Sequence, residues 1–437
     1  MARGHGIIIT AAAIVAFLLM SPGVWAQPAP AAAPAMIAET VVKSLGNVEK
    51  AVGEPVFSPN GERVAYNVRK DNGNVAVVSD GKESREYKSS VLSSGAFSAD
   101  GRRFAFRMQK TDNAEGIVAD GVEYVPGWLC AFSPDGRQMA YSNTDGIVRN
   151  GRLEIGLNIR GKKLVFSPDS RHLAYVHGYP ARIVVDGKAG PAFAKPDILG
   201  DPVWAPDSGS LAHTASQGDK AGDRWVLFWK DKKVGGPYDM VEGIAFSPDS
   251  KRIAWRALVK DQWAVVVNGK KGPDYSTLGG IVFSADGKHM AYPACGKDGW
   301  SVVLDSKEGP ACLQVLDPVV FSPDGKHVAY RALRDGKAVV VCDDRQTPPY
   351  DQISWAAFNG NHLAFAATRG KDSFIVCDGL EGPPHERVVV PERACDTPFK
   401  VRYVAIDKNE ASLIEIATPA DRTWESQFVP PPAPAAK

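Results

Sequence analysis

The chain has few of the short motifs that mark an enzyme or a metal site. It contains no GxSxG nucleophile elbow, no HExxH pair and no glycine-rich phosphate loop that opens a helical pattern. Its 6 cysteines are scattered at positions 130, 295, 312, 342, 377 and 395, without the CxxC or Cys/His spacing of a zinc site. The sequence therefore predicts no catalytic residue and no metal ligand.

A surplus of charge of one sign is also absent. Lys plus Arg number 51 and Asp plus Glu number 50, so the net charge at pH 7 is +1. A chain without a basic surplus has no general electrostatic attraction for phosphate backbones. We therefore predict no nucleic-acid partner.

Long apolar runs are absent after Met20. The run Ile7–Met20 is shorter than the roughly 20 residues that cross a bilayer. It follows Arg3 and His5 and precedes the small-residue cleavage pattern Val24–Ala26. We predict a signal peptide over residues 1–26, cleaved after Ala26, and a mature protein that is periplasmic or secreted and has no membrane span.

One ten-residue phrase recurs along the chain, most clearly as FSPDGKHVAY at Phe321–Tyr330. Its copies begin with an aromatic residue at positions 57, 97, 132, 166, 204, 246, 283 and 321, and a shortened copy, FNGNHLAF, begins at position 358. Ser-Pro-Asp-Gly contains the residues of a tight turn, in which Pro presets φ and Gly accepts a left-handed φ. The alternation that follows, as in His327, Val328, Ala329 and Tyr330, is typical of a half-buried strand.

A second turn signal lies inside each period. A β-branched run precedes Asp-Gly or Asn-Gly, which are the preferred two-residue hairpin turns; examples are Val75–Ser79 before Asp80-Gly81 and Val265–Val267 before Asn268-Gly269. Each unit thus holds two hairpins, or four strands. Four-stranded units repeated about every 40 residues are typical of propeller blades. The sequence predicts an all-β fold, a single-ring β-propeller with nine clear repeats and eight to ten blades.

With its Trp-Asp signature lost, the repeated phrase resembles the WD-like β-propeller repeats of TolB-type periplasmic proteins and of prolyl-oligopeptidase-like enzymes. The resemblance covers about residues 50 to 370 and includes all nine copies. It implies a propeller fold, and the TolB likeness implies protein partners in the cell envelope. We do not expect TolB itself, because TolB-type proteins carry an α/β domain before the propeller, whereas residues 27–56 separate the predicted signal peptide from the first repeat.

The flanks of the repeats complete the predicted domain organisation. Residues 27–36 are a Pro/Ala-rich linker, residues 37–428 the propeller and residues 429–437 a disordered Pro-rich tail. Val401–Ile406 and Ser412–Ile416 flank a turn and resemble a tenth hairpin. We predict that Glu39–Leu45 completes that last blade, because an N-terminal strand paired with C-terminal strands removes exposed sheet edges.

Binding is expected on one face of the disc. In a four-stranded meander, the Ser-Pro-Asp-Gly and Asp-Gly turns share one face, and the second-to-third loops share the other face with the links between blades. The second face varies most, which favours it for binding. Its loops share a basic residue followed by Asp, and these candidate residues for ligand or partner binding are Lys70, Asp71, Lys260, Asp261, Lys297, Asp298, Arg334, Asp335, Lys371 and Asp372. The alternative interpretation, which their repetition favours, is that Asp nucleates each turn and the basic residue is solvated.

Some histidines and cysteines also have structural interpretations. His172, His289 and His327 occupy a repeat position at which Arg stands in other blades, which favours a solvated strand position over a metal ligand. Cys342 and Cys377 occupy equivalent positions in neighbouring blades. Export would permit disulfides, but we expect these two residues to be small buried hydrophobic residues.

The favoured function is an exported propeller that binds proteins or scaffolds the cell envelope, as a monomer and without a cofactor. One alternative is a propeller enzyme, a hydrolase or lyase that acts on a lactone, glycan or peptide through its central channel, where a divalent cation could be held. A second alternative is carbohydrate binding on Trp225, Trp263 and Trp300, which open the third strands of successive blades. For these tryptophans, packing between blades is the favoured interpretation.

Overall fold

The computed structural model describes residues 37–92, 97–156, 159–178, 180–191, 199–216, 224–343, 345–391, 394–395, 400–418 and 424–427. The predicted signal peptide (1–26), linker (27–36) and tail (429–437) lie outside the described residues. Within the described ranges, no helix is long and apolar enough to cross a membrane.

The first half of the chain consists of short strands. They are β1 (Glu39–Asn47); β2 (Ala51–Phe57), β3 (Val64–Arg69), β4 (Val75–Ser79) and β5 (Lys82–Tyr87) of blade 1; β6 (Ser89–Val91), β7 (Ala105–Gln109), β8 (Glu115–Ala119) and β9 (Val122–Tyr124) of blade 2; β10 (Cys130–Phe132), β11 (Met139–Ser142), β12 (Gly146–Arg149) and β13 (Arg152–Gly156) of blade 3; β14 (Ile159–Phe166), β15 (Leu173–His177), β16 (Arg182–Val185) and β17 (Lys188–Ala189) of blade 4; and β18 (Val203–Trp204), β19 (Leu211–Ser216), β20 (Trp225–Trp229) and β21 (Lys232–Tyr238) of blade 5.

The second half continues the same pattern and adds one short helix. Its strands are β22 (Met240–Phe246), β23 (Ile253–Val259), β24 (Gln262–Val267) and β25 (Lys270–Tyr275) of blade 6; β26 (Thr277–Leu278), β27 (Val282–Phe283), β28 (Met290–Gly296), β29 (Gly299–Leu304) and β30 (Lys307–Glu308) of blade 7; β31 (Gln314–Phe321), β32 (Val328–Arg334), β33 (Lys337–Cys342) and β34 (Arg345–Gln346) of blade 8; β35 (Gln352–Asn359), β36 (His362–Arg369), β37 (Asp372–Cys377) and β38 (Leu380–Glu381) of blade 9; and β39 (Arg387–Val389), β40 (Lys400–Asp407) and β41 (Glu410–Ala417) of blade 10. A 3-10 helix covers Trp424–Gln427.

The described strands form ten antiparallel sheets, which are the blades of a β-propeller. Nine sheets pair strands in chain order, and in blade 7 the first strand is broken into β26 and β27, both of which pair with β28. The tenth sheet has the order β1-β41-β40-β39. The N-terminal strand β1 runs antiparallel to β41, from Glu39 opposite Ile416 to Asn47 opposite Glu410. The predicted closure of the ring by an N-terminal strand is confirmed, and the tenth hairpin is real.

The core of the described residues is divided among the junctions between blades. Ten clusters of buried apolar side chains are present, and each joins one blade to the next, including one between blades 10 and 1. Alternation along each strand explains this arrangement: Val328 and Tyr330 pack toward blade 7, whereas Ala329 packs toward blade 9. Cys342 and Cys377 are fully buried in this core, as expected. Each blade therefore covers the apolar surface of its neighbour.

The Ser-Pro-Asp-Gly turn is built as its residues predict. In blade 8, the Ser322 hydroxyl donates to Asp324 Oδ1 at 2.6 Å and accepts the His327 N–H at 3.0 Å. Gly325 has a φ of 73°, in the left-handed region. The hydrogen bond from Ser322 and the Lys326 N–H lower the pKa of Asp324 to about 2. The repeated Asp is therefore a charged turn former.

Serine replaces the turn glycine in blades 4, 5 and 6, and the structure shows how this is tolerated. Ser170, Ser208 and Ser250 have φ values of 66°, 58° and 58°, which cost a non-glycine residue about 1 kcal/mol. Each hydroxyl accepts the N–H of the turn Asp in the preceding blade, at 3.0, 3.0 and 2.9 Å respectively. A hydrogen bond between blades thus offsets the backbone strain.

In several blades, the Asp of the second turn binds the repeated histidine or arginine. In blade 8, Asp343 Oδ1 accepts the Val328 N–H at 3.0 Å and Oδ2 lies 2.8 Å from His327 Nδ1. His172 and His289 lie 2.6 and 2.5 Å from Asp186 and Asp305 in the same way. The corresponding pairs with arginine, Arg63–Asp80 and Arg103–Asp120, both measure 2.7 Å. In these five blades, Arg and His occupy the same position and both bind the Asp of the second turn.

Candidate functional site

The predicted charged pairs lie on one face of the propeller. They occupy or border the loops between the second and third strands of blades 1, 6, 7, 8 and 9, which follow β3, β23, β28, β32 and β36; the residues are Lys70, Asp71, Lys260, Asp261, Lys297, Asp298, Arg334, Asp335, Lys371 and Asp372. These loops and the links between blades lie at the same end of each meander, which we call the variable-loop face. The fold therefore gathers the pairs on one face, with each pair in a separate blade.

Several of these residues also serve as turn formers. Lys260 and Asp261 have φ values of 49° and 62°, and Asp335 has a φ of 49°. This is the left-handed conformation that two-residue hairpin turns require. All three residues are exposed. Their charge is therefore presented to solvent by a rigid turn.

Links between blades hold some of these loops in place. Asp239, in the link before blade 6, accepts the Lys260 N–H at 2.8 Å. Asp351, in the link before blade 9, accepts the Gly370 N–H at 2.6 Å and pairs with Lys337 at 2.5 Å. The hydrogen bond from Lys337 is the largest of the effects that lower the pKa of Asp351. The variable-loop face thus carries ordered charges.

Lys70 and Asp71 also line a cavity. A space of about 740 Å³ at the boundary between blades 10 and 1 is lined by these two residues and by Tyr66 and Glu83, among others. Lys70 pairs with Glu83, and this hydrogen bond is the main cause of the raised pKa of Lys70. The predicted pair at blade 1 therefore borders a concave surface.

Apolar side chains are exposed where the first strands begin. In a propeller the first strand of each blade faces the central channel, and it starts at the variable-loop face. The exposed apolar side chains at or just before these starts are Val52 (41 %), Val91 (58 %), Trp128 (37 %), Met240 (40 %) and Leu313 (69 %). We call this set the axial apolar rim. Isolated surface apolar residues are ordinary, but their collection at one structural position is not.

The sequence did not predict the axial apolar rim. Its members lie at the beginning of a first strand or just before it, at varying distances from the aromatic residue that starts the repeated phrase, so no periodicity identifies them. The one available signal was an apolar residue just upstream of a predicted first strand. Its exposure depends on what the neighbouring blades leave uncovered.

Two of the predicted tryptophans are packing residues. Trp263 packs against the cluster between blades 6 and 7, and Trp300 packs against the cluster between blades 7 and 8. Both are half-buried, and the Arg256 guanidinium lies 5.9 Å from the Trp263 ring centroid. The interpretation of these two as inter-blade packing is confirmed.

No family model matches the chain, and no curated protein matches it. Among solved structures it is similar to TolB from Acinetobacter baumannii, with 12 % identity, 60 % of this chain and 63 % of that chain covered, and a TM-score of 0.27. It is also similar to the β-propeller domain of the Trilobed protease from Pyrococcus furiosus, with 13 % identity, 76 % and 97 % covered, and a TM-score of 0.33.

A third similar structure is Kuenenia stuttgartiensis hydrazine synthase, with 13 % identity, 69 % and 97 % covered, and a TM-score of 0.27. The match to TolB spans less than two thirds of TolB's own length. The propeller fold of this chain is established by its own strand pairing.

Proposed function

We propose that this protein is an exported β-propeller that binds another protein of the cell envelope through its variable-loop face. The observation that carries the proposal is the axial apolar rim, which shares the variable-loop face with the charged loop residues of blades 1, 6, 7, 8 and 9. Protein interfaces commonly have an apolar centre and a polar border that excludes water. The proposed export rests on the signal-peptide pattern over residues 1–26. We include in the proposal that the repeats are related to those of TolB-type proteins.

Exposed apolar residues also occur on outer strands, at Val41, Val42, Val122 and Leu153, and the residues of the rim differ from these in sharing one face of the ring. Leu313 and Val91 are among the most exposed apolar side chains of the described residues, and both lie at the starts of first strands. Aromatic residues and Met are enriched at interface centres, and the rim contains Trp128 and Met240. Burial of these side chains by a partner would contribute roughly 25 cal/mol per Å² of apolar surface.

A pull-down from envelope extract tests the proposal. The mature chain is compared with a double variant, Met240→Ser with Leu313→Ser, which removes apolar surface from the rim without touching the core. We expect the double variant to lose the proteins that the parent chain captures at stoichiometric yield.

Val122→Ser is the matched control. Val122 is 54 % exposed, but it lies on the outer strand β9 of blade 2. The control should retain the captured proteins. Equal capture by the parent chain and the rim variant, with both folded, would refute binding through the rim.

A further inference from the structure

Blade 5 departs from the repeat at several positions of its first two strands. Trp204 replaces Phe, Ala205 replaces Ser, and Ser210 stands where most other repeats have Arg or His. The most consequential change is His213, because the corresponding residue is aromatic in the other repeats, for example Tyr330 in blade 8 and Phe365 in blade 9. In a repeat protein, shared residues record the shared fold, so a concentration of departures in one blade indicates a local role.

The second turn of blade 5 is altered as well. In blades 1, 2, 4, 6, 7 and 8, the first residue of this turn is Asp or Asn. In blade 8, the Oδ1 atom of this residue accepts a backbone N–H of the second strand. Blade 5 has Lys230 and Asp231, with φ values of 52° and 57°. Lys230 takes the position of the structural Asp, and Asp231 takes that of Gly. Asp231 is exposed and forms no hydrogen bond or ion pair with the part of the chain that the structure describes.

These changes surround a cleft between blades 4 and 5, on the face that carries the tight turns. One part measures about 530 Å³ and is lined mainly by apolar side chains, with Leu211, Phe228 and His213 among them. The other part measures about 550 Å³ and is lined by Trp204, Ser210 and Lys230, among others. Both parts share His172, Val185, Leu211 and Asp231. Ligand sites of small molecules have volumes of roughly 300–1,000 Å³.

The described part of this junction contains few buried apolar side chains. Among the residues that the structure describes, Val176, Ala181 and Ile183 are the buried members of the apolar cluster between blades 4 and 5. The corresponding junction between blades 7 and 8 has nine such members, Tyr330 among them, and a smaller cavity of about 400 Å³. The site of the larger cleft thus coincides with the blade in which the aromatic residue is replaced.

His213 supplies the inner polar group of the cleft. It is 5 % exposed, and its ring stacks on Phe228 with centroids 5.3 Å apart and an interplanar angle of 7°. Burial lowers the pKa of His213 to about 4, although the charge of Asp231 opposes this. The imidazole is therefore neutral at pH 7, and the stack presents an uncharged flat surface.

Asp231 supplies the unneutralised carboxylate. Asp186 also lines the cleft, but Arg149 and His172 lie 2.9 and 2.6 Å from its oxygens. Burial would raise the pKa of Asp186, and the hydrogen bonds from His172, the Leu173 N–H and Arg149 outweigh that effect and lower it. Lys230, at the same turn as Asp231, lies with its Nζ 4.8 Å from the Trp229 ring centroid. Asp231 is the carboxylate that both parts of the cleft share.

We propose that this cleft binds a small ring compound that carries a primary ammonium group. The ring lies against Leu211 and the His213–Phe228 stack, and the ammonium group pairs with Asp231. This site is on the opposite face from the axial apolar rim, so it does not depend on the proposed protein binding.

Titration of the full mature chain with three probes tests the proposal. Benzylamine, benzyl alcohol and benzoate share a ring and differ in charge. Calorimetry should show saturable binding of benzylamine, about tenfold tighter than benzoate. The ring carbon resonances of His213 should shift during the benzylamine titration, which places the probe in the cleft.

Two variants separate the charge from the ring pocket. Asp231→Asn should weaken benzylamine about fivefold and leave benzyl alcohol unchanged, because an exposed ion pair contributes modestly. Asp71→Asn is the charge control on the other face and should change neither. His213→Trp introduces the residue that blade 6 has at this position (Trp255) and should weaken both benzylamine and benzyl alcohol more than tenfold by occupying the pocket.

Three results would overturn the proposal. The first is no saturable binding of any probe by the parent chain. The second is tighter binding of benzoate than of benzylamine, which would exclude the ammonium assignment. The third is unchanged benzylamine affinity in Asp231→Asn, a variant at an exposed position that should fold whether or not His213→Trp does.

Discussion

Two junctions of the same ring differ in how completely they are filled. Between blades 8 and 9, the described core holds fourteen buried residues, including Phe365, Phe374 and Trp424. Tyr350 lies 5.5 Å from the Phe365 ring and 6.1 Å from the Phe374 ring. Between blades 4 and 5, the described core holds three buried residues, one of which, Ile183, lines a cleft. The backbone topology is the same at both junctions.

The difference shows that the repeat specifies strand pairing more strictly than it specifies packing. His213 and Phe365 occupy the same repeat position, but only Phe365 completes an apolar cluster. The filling of the described core varies at other junctions too: the cluster between blades 2 and 3 has four buried members, and a space of about 740 Å³ lies at the boundary of blades 10 and 1, yet all ten sheets form. A repeat protein can therefore devote one junction to binding while its neighbours maintain the fold.

The largest effect is expected at the filled junction. Phe365→Ala should lower the free energy of unfolding by about 3–5 kcal/mol, because the side chain is 1 % exposed and its removal leaves a cavity. Chemical denaturation measures the loss. A loss below about 1 kcal/mol would show that this junction is as loosely packed as the one between blades 4 and 5, and would remove the contrast.

At a third junction, between blades 9 and 10, charged hydrogen bonds add to the packing. His385, whose backbone pairs with Ser373 of blade 9, lies 2.6 Å from Asp407 and 3.1 Å from Glu39 of the closing strand β1. The hydrogen bond to Glu39 is the main cause that raises the pKa of His385 to about 9, against the effect of burial, and Asp407 adds to it. Because the folded pKa exceeds the unfolded value of about 6.5, this stabilisation is complete below pH 6.5 and is lost as the pH rises through 9.

We expect the wild-type chain to lose about 2–3 kcal/mol of stability between pH 6.5 and pH 9 from this group. His385→Gln should be less stable than wild type at pH 6.5 and should flatten that part of the profile. Denaturation midpoints measured across this range give the comparison. Parallel profiles for the two proteins would argue against a charged His385 at the ring closure.

A smaller effect is expected from the polar link at the open junction. Ser208→Ala removes the acceptor of the Asp169 N–H and keeps the left-handed φ, so it should cost about 1–2 kcal/mol. Ser208→Gly loses the same hydrogen bond but relieves the backbone strain, and should cost less than the Ala variant. Thermal unfolding of the two variants shows which is less stable. A less stable Gly variant would contradict the conclusion that the hydrogen bond offsets backbone strain at Ser208.

The smallest expected effect is a gain in stability. His213→Phe introduces the residue found in blade 9 and replaces a buried imidazole with an apolar ring beside a cleft that has room for it. We expect a rise of about 1 kcal/mol in the free energy of unfolding, measured by denaturant titration. A clear loss would mean that the imidazole itself stabilises this junction, and the two junctions would then differ in kind.

Much of the fold could be predicted from the sequence because turn chemistry is local. The turn from Ser322 to Gly325 is stabilised by a hydrogen bond within the turn and by the φ that Gly325 adopts. Each copy of this turn therefore marks one blade, and nine copies predict nine blades. The tenth blade was predicted from Glu39–Leu45 and the C-terminal hairpin, and the pairing of β1 with β41 confirms it. The broken first strand of blade 7 was not predicted, since β26 and β27 differ from an intact strand only in their register on β28.

The candidate site was less predictable because it depends on residues from different blades. The charged pairs were located on the correct face of the meander, and their role in binding stays a prediction. The axial apolar rim and the cleft beside His213 were missed, since neither follows a period along the chain.

The sequence by itself determined the turns, the strand alternation and therefore the propeller, because each of these depends on neighbours a few residues away. Only the tertiary structure decided which junction stays open and which apolar side chains remain uncovered. The physical reason is that burial at a junction is a joint property of two blades: the cleft beside His213 is lined by residues of both blades, with Ile183 and Val185 from the preceding one.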